Sequence, residues 1–313
     1  MVRLDDVLST NALVQDPAKR ALVLGFISRT LRLPPLTRFP APHPVALSRD
    51  ALTQMQPKEW VVSVKADGVR VLLVCTEFEH GRFATVLVDR TLAVWRVRLR
   101  GPADKLRSAI LDAELMSDGT LWAFDDLTAY DSTTPYIDRL ERVRTFVDSV
   151  EGVEALTLKI KDVHAASEAA EALADADIAC DGVVFTHIGG MGRADLSRRC
   201  ERMMKFKTQH TVDLFVSSLS PVCLQWHTGE QLEAIHGTVG GVDISRPRIK
   251  NTKEMQRGCA AEFAAVFKSG LRLTYMHPRE HTNNSTTVQR TLKAALEGLD
   301  IVSVSAVLAG SEL

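Results

Sequence analysis

The sequence predicts an α+β chain built mainly from antiparallel sheet, with a smaller, glycine-punctuated β region towards its C-terminal end. Three observations carry that reading. Between residues 60 and 127 apolar residues alternate or run in short stretches, broken by turn signals such as Asp67-Gly68 and Ser117-Asp118-Gly119. Helical spacing is confined to residues 4–32, 138–150, 165–175 and 286–297. From Leu214 onward the pieces are short and strand-like, with glycines at 229, 237, 240, 241, 258 and 270, a pattern that suits a small barrel plus a helix.

The elements follow in order. Leu4, Val7, Leu8, Leu13, Leu22, Val23, Phe26, Ile27 and Leu31 fall at roughly helical spacing. Asp16 before Pro17 is an N-cap followed by a first-turn proline, which starts a second helix. Pro34, Pro35, Pro40, Pro42 and Pro44 make an extended connector. Residues 60–64, 69–75, 84–88 and 92–97 read as antiparallel strands turned at Asp67-Gly68 and His80-Gly81. Residues 109–115 and 121–127 form a further pair, 138–150 and 165–175 amphipathic helices, 183–186 and 203–207 short strands, and 286–297 a last helix. No internal repeat or low-complexity tract occurs.

Composition bounds the function. The 313 residues carry 38 Lys and Arg against 39 Asp and Glu, a formal net charge of −1. That balance argues against a protein that coats nucleic acid non-specifically, and leaves room for a local basic cleft. A hydrophobic fraction of 45% and a charged fraction of 25% are those of an ordinary globular chain. Five scattered cysteines without a CxxC pair read as reduced thiols of the cytosol or nucleus. The first residues lack a signal-peptide core, and no apolar run is long enough to cross a bilayer. The expectation is a soluble intracellular protein, in nucleus or cytoplasm, that does not engage a membrane.

The sharpest local feature is Lys65-Ala66-Asp67-Gly68-Val69-Arg70. A lysine ends one predicted strand, Asp-Gly turns the chain, and an arginine opens the next, so an amine and a guanidinium lie close together at a sheet edge. Free lysine, with a pKa near ~10.4, is a poor nucleophile at neutral pH, and nearby cations or burial are what expose a reactive amine. Further along stand Val88-Asp89-Arg90, Leu111-Asp112-Ala113-Glu114-Leu115, Trp122-Ala123-Phe124-Asp125, Asp181-Gly182-Val183-Val184-Phe185 and Met204-Lys205-Phe206-Lys207, followed by Thr211-Val212-Asp213. Upstream lies Phe39-Pro-Ala-Pro-His-Pro44-Val-Ala-Leu-Ser48-Arg49.

In this order these segments resemble the motifs of the covalent nucleotidyltransferases, the superfamily of DNA and RNA ligases and mRNA-capping guanylyltransferases. KxDGxR is the superfamily's lysine motif, and the later segments resemble LDGEL, YxxFD, DGLIF and LKWK…TVDF. The Pro44–Arg49 lead-in is capping-like, and the DGVVF segment lacks the lysine with which ligases usually end that motif. The resemblance implies an mRNA guanylyltransferase that moves GMP from GTP through a lysyl-GMP at Lys65 to a diphosphate RNA 5′ end. The alternative is an ATP-dependent RNA or DNA ligase.

It implies an architecture too: an antiparallel-sheet nucleotidyltransferase domain over residues 1–213, with the helical segment 1–35, and a C-terminal OB-type β-barrel over 214–313. Its last helix could pack back on the first domain. Lys65, Lys205, Lys207 and Arg279 are the implied catalytic residues. Arg70, Arg90, Glu114, Phe124, Lys161, Asp181 and Asp213 are the implied nucleotide contacts, with Lys159 the other candidate for the base edge. Glu114 and Asp181 are the implied ligands of Mg2+ or Mn2+. The last motif, Met276-His-Pro278-Arg279-Glu-His-Thr-Asn283, departs from the usual RxDKxxxN, so Arg279 or Arg272 stands in for a missing cation. No HCxxxxxR phosphatase loop or glycine-rich methyl-donor site stands out, so the implied partners are a separate RNA triphosphatase and cap methyltransferase. Docking on a polymerase tail is compatible with that reading.

Overall fold

Residues 71–75 of strand Val69–Phe78 are apolar without a break because they run through the middle of a sheet covered on both faces. Val71, Leu73 and Cys75 face one side and pack with Val143 and Phe146 of helix Tyr136–Ser149. Leu72 and Val74 face the other and pack with Val23 and Ile27 of helix Pro17–Thr30. Each large aliphatic side chain so buried stabilises the fold by about 1.5–3 kcal/mol. The second of these helices starts as the sequence predicts: the Asp16 carboxylate accepts from the amides of Ala18 and Lys19, and Pro17 fills the first turn.

The computed structural model describes residues 4–9, 12–78, 82–100, 108–130, 133–150, 152–153 and 156–311. The predicted turn at His80-Gly81 lies outside them. The chain forms two compact units, Met1–Val45 with Gln56–Lys205, and Ala46–Met55 with Phe206–Leu313.

Among the described residues the first unit holds two large sheets and a two-stranded one, Leu99–Arg100 with Gly152–Val153. In the six-stranded one the order is Thr157–Ile160, Thr120–Asp126, Ala109–Leu115, Val69–Phe78, Arg82–Asp89, Val94–Val97. In the five-stranded one it is His43–Ala46, Arg199–Lys207, Cys180–His187, Trp60–Ala66, His164–Ala165. Asp67-Gly68 therefore does not close a hairpin within one sheet, as the sequence alone implied. It carries the chain from the end of Trp60–Ala66 in one sheet to the start of Val69–Phe78 in the other. A Cβ at Gly68 would come within 2.5 Å of the Leu115 carbonyl oxygen, so only glycine fits the crossing.

A charged pair lies in this interior. Arg139 is fully buried and holds Asp125 through two hydrogen bonds, 2.8 and 3.2 Å. It donates a third bond to the Thr134 carbonyl and lies against the rings of Tyr130 and Tyr136. The Tyr136 hydroxyl in turn donates to the Phe124 carbonyl at 2.9 Å.

The second unit corrects the expected OB-type barrel. Its strands lie in the order Leu232–Ala234, Val222–His227, Thr211–Leu219, Ala260–Lys268, Gly270–Arg279, Arg248–Lys250, and the sheet stays open. Closure would need the two edge strands to pair in a fixed stagger. Both edges are only three residues long. The chain between them forms its own two-stranded hairpin, Thr238–Val239 with Val242–Asp243, turned by left-handed Gly240 and Gly241. Helix Ser285–Glu297 buries Val288 and Leu292 in the same core as Leu214, Trp226 and Phe263 of the sheet.

The sheets are mixed rather than wholly antiparallel. Thr157–Ile160 joins Thr120–Asp126 in parallel, and Arg248–Lys250 joins Gly270–Arg279 in parallel. Helix Arg49–Gln54, capped by the Ser48 hydroxyl, belongs to the second unit, where the Arg49 amide donates to the Glu297 carboxylate at 2.8 Å. All five cysteines are free. No helix among the described residues is long and apolar enough to cross a membrane.

Arg139→Leu strands the Asp125 carboxylate in the interior. The expected cost is about 3–5 kcal/mol, read as a lower urea midpoint for the first unit. An unchanged midpoint would mean the pair contributes nothing.

Candidate active site

The two large sheets of the first unit flank a cavity of about 660 Å³. Of the residues singled out from the sequence, Lys65, Arg70, Arg90, Glu114, Phe124, Lys161 and Lys205 line it. Lys65 reaches it from the end of Trp60–Ala66, and its Nζ lies 2.7 Å from Asp181 Oδ1. A bulge makes that contact. In the ladder between the two strands Cys180 faces Ala66 and Val183 faces Val64, so Asp181 and Gly182 together stand opposite Lys65 alone. Gly182 adopts φ 150°, which an ordinary side chain rarely tolerates.

Arg70 stands directly opposite Glu114 in the neighbouring ladder. Its Nε donates to Asp112 Oδ1 at 2.9 Å, its Nη2 donates to the Pro42 carbonyl at 2.9 Å, and its Cζ lies 5.7 Å from each of the Phe39 and Phe124 rings. Burial opposes its charge, but Asp112 and Glu114 outweigh that and hold the guanidinium above its ordinary pKa. Arg90 is delivered by a turn built on Asp89, whose carboxylate accepts from the amides of Thr91 and Ala93 and from the Trp95 indole.

Lys161 is buried, and its Nζ lies 4.8 Å over the Phe124 ring. Burial pulls its pKa down to about 8, against the opposite pull of Glu114. Burial likewise raises Glu114 against the pull of Lys161, Arg70 and Lys65. Lys159, the other candidate, is exposed and rests over Trp122 instead. His43 also lines the cavity, and burial followed by the charges of Arg70, Arg90, Arg199 and Lys205 lowers its pKa to about 4. A neutral imidazole ringed by four cations marks a strongly positive pocket.

Lys207, Asp213 and Arg279 belong to the second unit. There Arg279 bonds Asp213 at 3.2 Å and Glu262 at 2.9 Å, and the Asn283 side chain donates to Asp213 while accepting its amide. Arg272 lies on the same strand, opposite Val266.

Two residues of the site escape a reading of the sequence. Asp112 sits two positions before Glu114 on an otherwise apolar strand, and that spacing, which puts both carboxylates on one face, is the signal that could have found it. His43 carries no signal beyond its place in the lead-in. Among the described residues no three of His, Cys, Asp and Glu converge to hold an ion by themselves.

Residues 5–125 match the family described as mRNA capping enzyme, catalytic domain. That span holds Lys65, Arg70, Arg90, Glu114 and Phe124 of the cavity's lining. The matched stretch, under half of the chain, resembles the catalytic domain of a capping enzyme. Solved structures with similarity include a mycobacterial DNA ligase D complexed with ATP and MES, 16% identical, covering 77% of this chain and 96% of that one with a TM-score of 0.46. They also include the ATP-dependent DNA ligase of bacteriophage T7 in complex with ATP, 10% identical, covering 76% and 98% with a TM-score of 0.38. The activities named for those proteins are theirs.

Because its folded pKa lies below the unfolded value, charged Lys161 destabilises the fold fully below about pH 8, and that penalty fades as pH rises towards ~10.4. Lys161→Met should therefore raise stability at pH 7 by on the order of 1–3 kcal/mol and have little effect above pH 10. Thermal unfolding at both pH values checks it; equal shifts at both would refute the assignment to charge.

Proposed function

We propose that this protein is an mRNA guanylyltransferase. In the first step Lys65 Nζ forms a bond to the α-phosphorus of GTP, the bond to pyrophosphate breaks, and the amine gives up a proton, for which Asp181, 2.7 Å away, is the nearest base. In the second, a terminal oxygen of the RNA diphosphate bonds to the same phosphorus, the P–N bond breaks, and Nζ leaves with a proton. Lys205 and Arg90 meet the negative charge that grows on the phosphoryl group.

Glu114 and Asp181 are assigned by motif resemblance to Mg2+ or Mn2+, and two carboxylates, too few to cage an ion, would share it with substrate phosphates. Bound there, the ion would neutralise phosphate charge. Arg70, locked by Asp112, and Glu114 are assigned to the ribose and phosphates, and Phe124 to stacking on the base.

The observation that carries the choice of nucleotide is Lys161. An ammonium only donates hydrogen bonds, and here it lies buried beside the ring assigned to stack the base. Guanine offers O6 and N7, both acceptors, where adenine offers an amino donor beside N7. The family matched over residues 5–125 supports the same reading. The second reading is an ATP-dependent RNA or DNA ligase; both solved structures above are described as DNA ligases in complex with ATP, and Lys65 would form the corresponding lysyl-AMP.

Labelled GTP with Mg2+ or Mn2+ should leave an acid-labile label that vanishes in Lys65→Ala, exceeds the label from ATP, and chases onto diphosphate-ended RNA. Labelling of Lys65→Ala equal to the parent would sink the assignment. Preferential labelling by ATP, with sealing of nicked strands, would establish the second reading.

Lys207, Asp213 and Arg279 are assigned to the nucleotide by motif resemblance. If Arg279 serves pyrophosphate it acts only in the first step, since pyrophosphate is present only there. Arg279→Ala should slow lysyl-GMP formation about a hundredfold in single turnover and leave transfer from pre-formed lysyl-GMP near normal. Equal rates of the first step would move the role to Arg272.

A further inference from the structure

Beside the cavity that holds Lys65 lies a groove of about 410 Å³, and the two share Arg38, Ser197 and Arg198 in their walls. Leu33 and Leu36 of the proline-rich connector line the groove, as does Leu196, which is buried in the core beneath helix Pro17–Thr30. The rim is basic. Arg38, Arg193 and Arg198 are all exposed there, and among the described residues none of them has an ion-pair partner. No carboxylate among the described residues lines the groove. Asp195, the acid of the same turn, is occupied otherwise: its Oδ2 accepts the Gly192 amide at 2.8 Å.

The walls are fixed before any ligand arrives. The Ser197 amide donates to the Ala41 carbonyl at 3.1 Å, and the His43 amide donates to the Arg198 carbonyl at 2.7 Å. These two bonds tie the connector to the turn that carries the arginines. A preformed cleft with an apolar floor and a cationic rim fits a strand whose bases are apolar-faced and whose backbone is anionic. Its continuity with the Lys65 cavity gives that strand a direction.

We propose that this groove binds the 5′ end of the acceptor RNA, with its first phosphates on Arg38, Arg193 and Arg198 and its first base on the apolar floor. The terminal phosphate then points through the shared wall towards Lys65. The inference rests on the reading that the lysyl-nucleotide passes to an RNA 5′ end, and it assigns that acceptor a path.

Arg193 is the residue to test, because it lines the groove and not the Lys65 cavity. The probe is a short fluorescent RNA with a 5′-diphosphate, its binding followed by anisotropy over a range of salt, beside single-turnover labelling of Lys65. Arg193→Glu should weaken binding about tenfold and lower the salt slope by about one. Arg193→Lys should stay within about threefold of the parent, and both variants should form lysyl-nucleotide at the parent rate. Parental RNA affinity in Arg193→Glu would overturn the path. So would a loss of RNA binding matched by an equal loss of labelling, which would mean damage to the nucleotide site. A nicked DNA duplex that binds more tightly than RNA, and through Arg193, would overturn the choice of ligand. Absence of labelling in the parent would defeat the guanylyltransferase reading alone, since the binding arm does not depend on it.

Discussion

The first unit is organised by the crossing at Asp67-Gly68, where the chain leaves one sheet and enters the next with no space for a side chain. Leu115 closes that space with its backbone oxygen, so the constraint is imposed by the strand that carries Glu114. One tight passage thereby sets three groups. Lys65 ends the strand before it, Arg70 opens the strand after it, and Glu114 faces Arg70 from the strand that limits it. Moving the two sheets apart to admit a Cβ would separate the amine from the guanidinium. The short motif is rigid for a steric reason as much as a chemical one.

Around this frame the charges are arranged unequally. Arg70 has a partner that fixes it, Asp112, through two parallel contacts, and it does not swing. Lys65 has a looser one in Asp181, on a bulged strand, and both remain partly exposed. Lys161 and Glu114 are held in a buried environment that disfavours the charge of each. A pocket in which one cation is locked, one is near a base and one is held at a cost is suited to grip an anion and release a proton within it. The Arg139–Asp125 pair, with Tyr136 on the Phe124 carbonyl, extends this order outward to the backbone that presents the ring.

Much of the first unit is legible in the chain. Alternation and turn residues locate the strands from Trp60 to Asp126, and the Asp16–Pro17 pair locates a helix start, because those signals are local. The run at 71–75 is apolar without a break, which a strand covered on both faces requires. The arrangement of strands into sheets is not local, and Asp67-Gly68 misleads, since a two-residue turn signal cannot say whether the next strand pairs with the last. The barrel expected after Leu214 fails for a related reason. Glycine spacing marks turns but not which edges meet, and here the intervening residues pair with each other. The motifs pick out most of the side chains that face the cavity, whereas Asp112 hides within an apolar strand. His43 acquires its place only when the connector reaches the turn at Arg198.

The bulge at Asp181-Gly182 has a consequence for how the site tolerates change in length. Two residues there occupy the place of one, so the strand beyond it is out of step with its partner by a single position. Deleting either residue would restore an even ladder, with better hydrogen bonding between backbones and no left-handed glycine. Deleting Asp181 in particular would leave Lys65 without the carboxylate that now stands 2.7 Å from it. Regularity and reactivity are thus alternatives at this point in the chain, separated by one codon, and a screen for stability alone would favour the shorter, inert sequence.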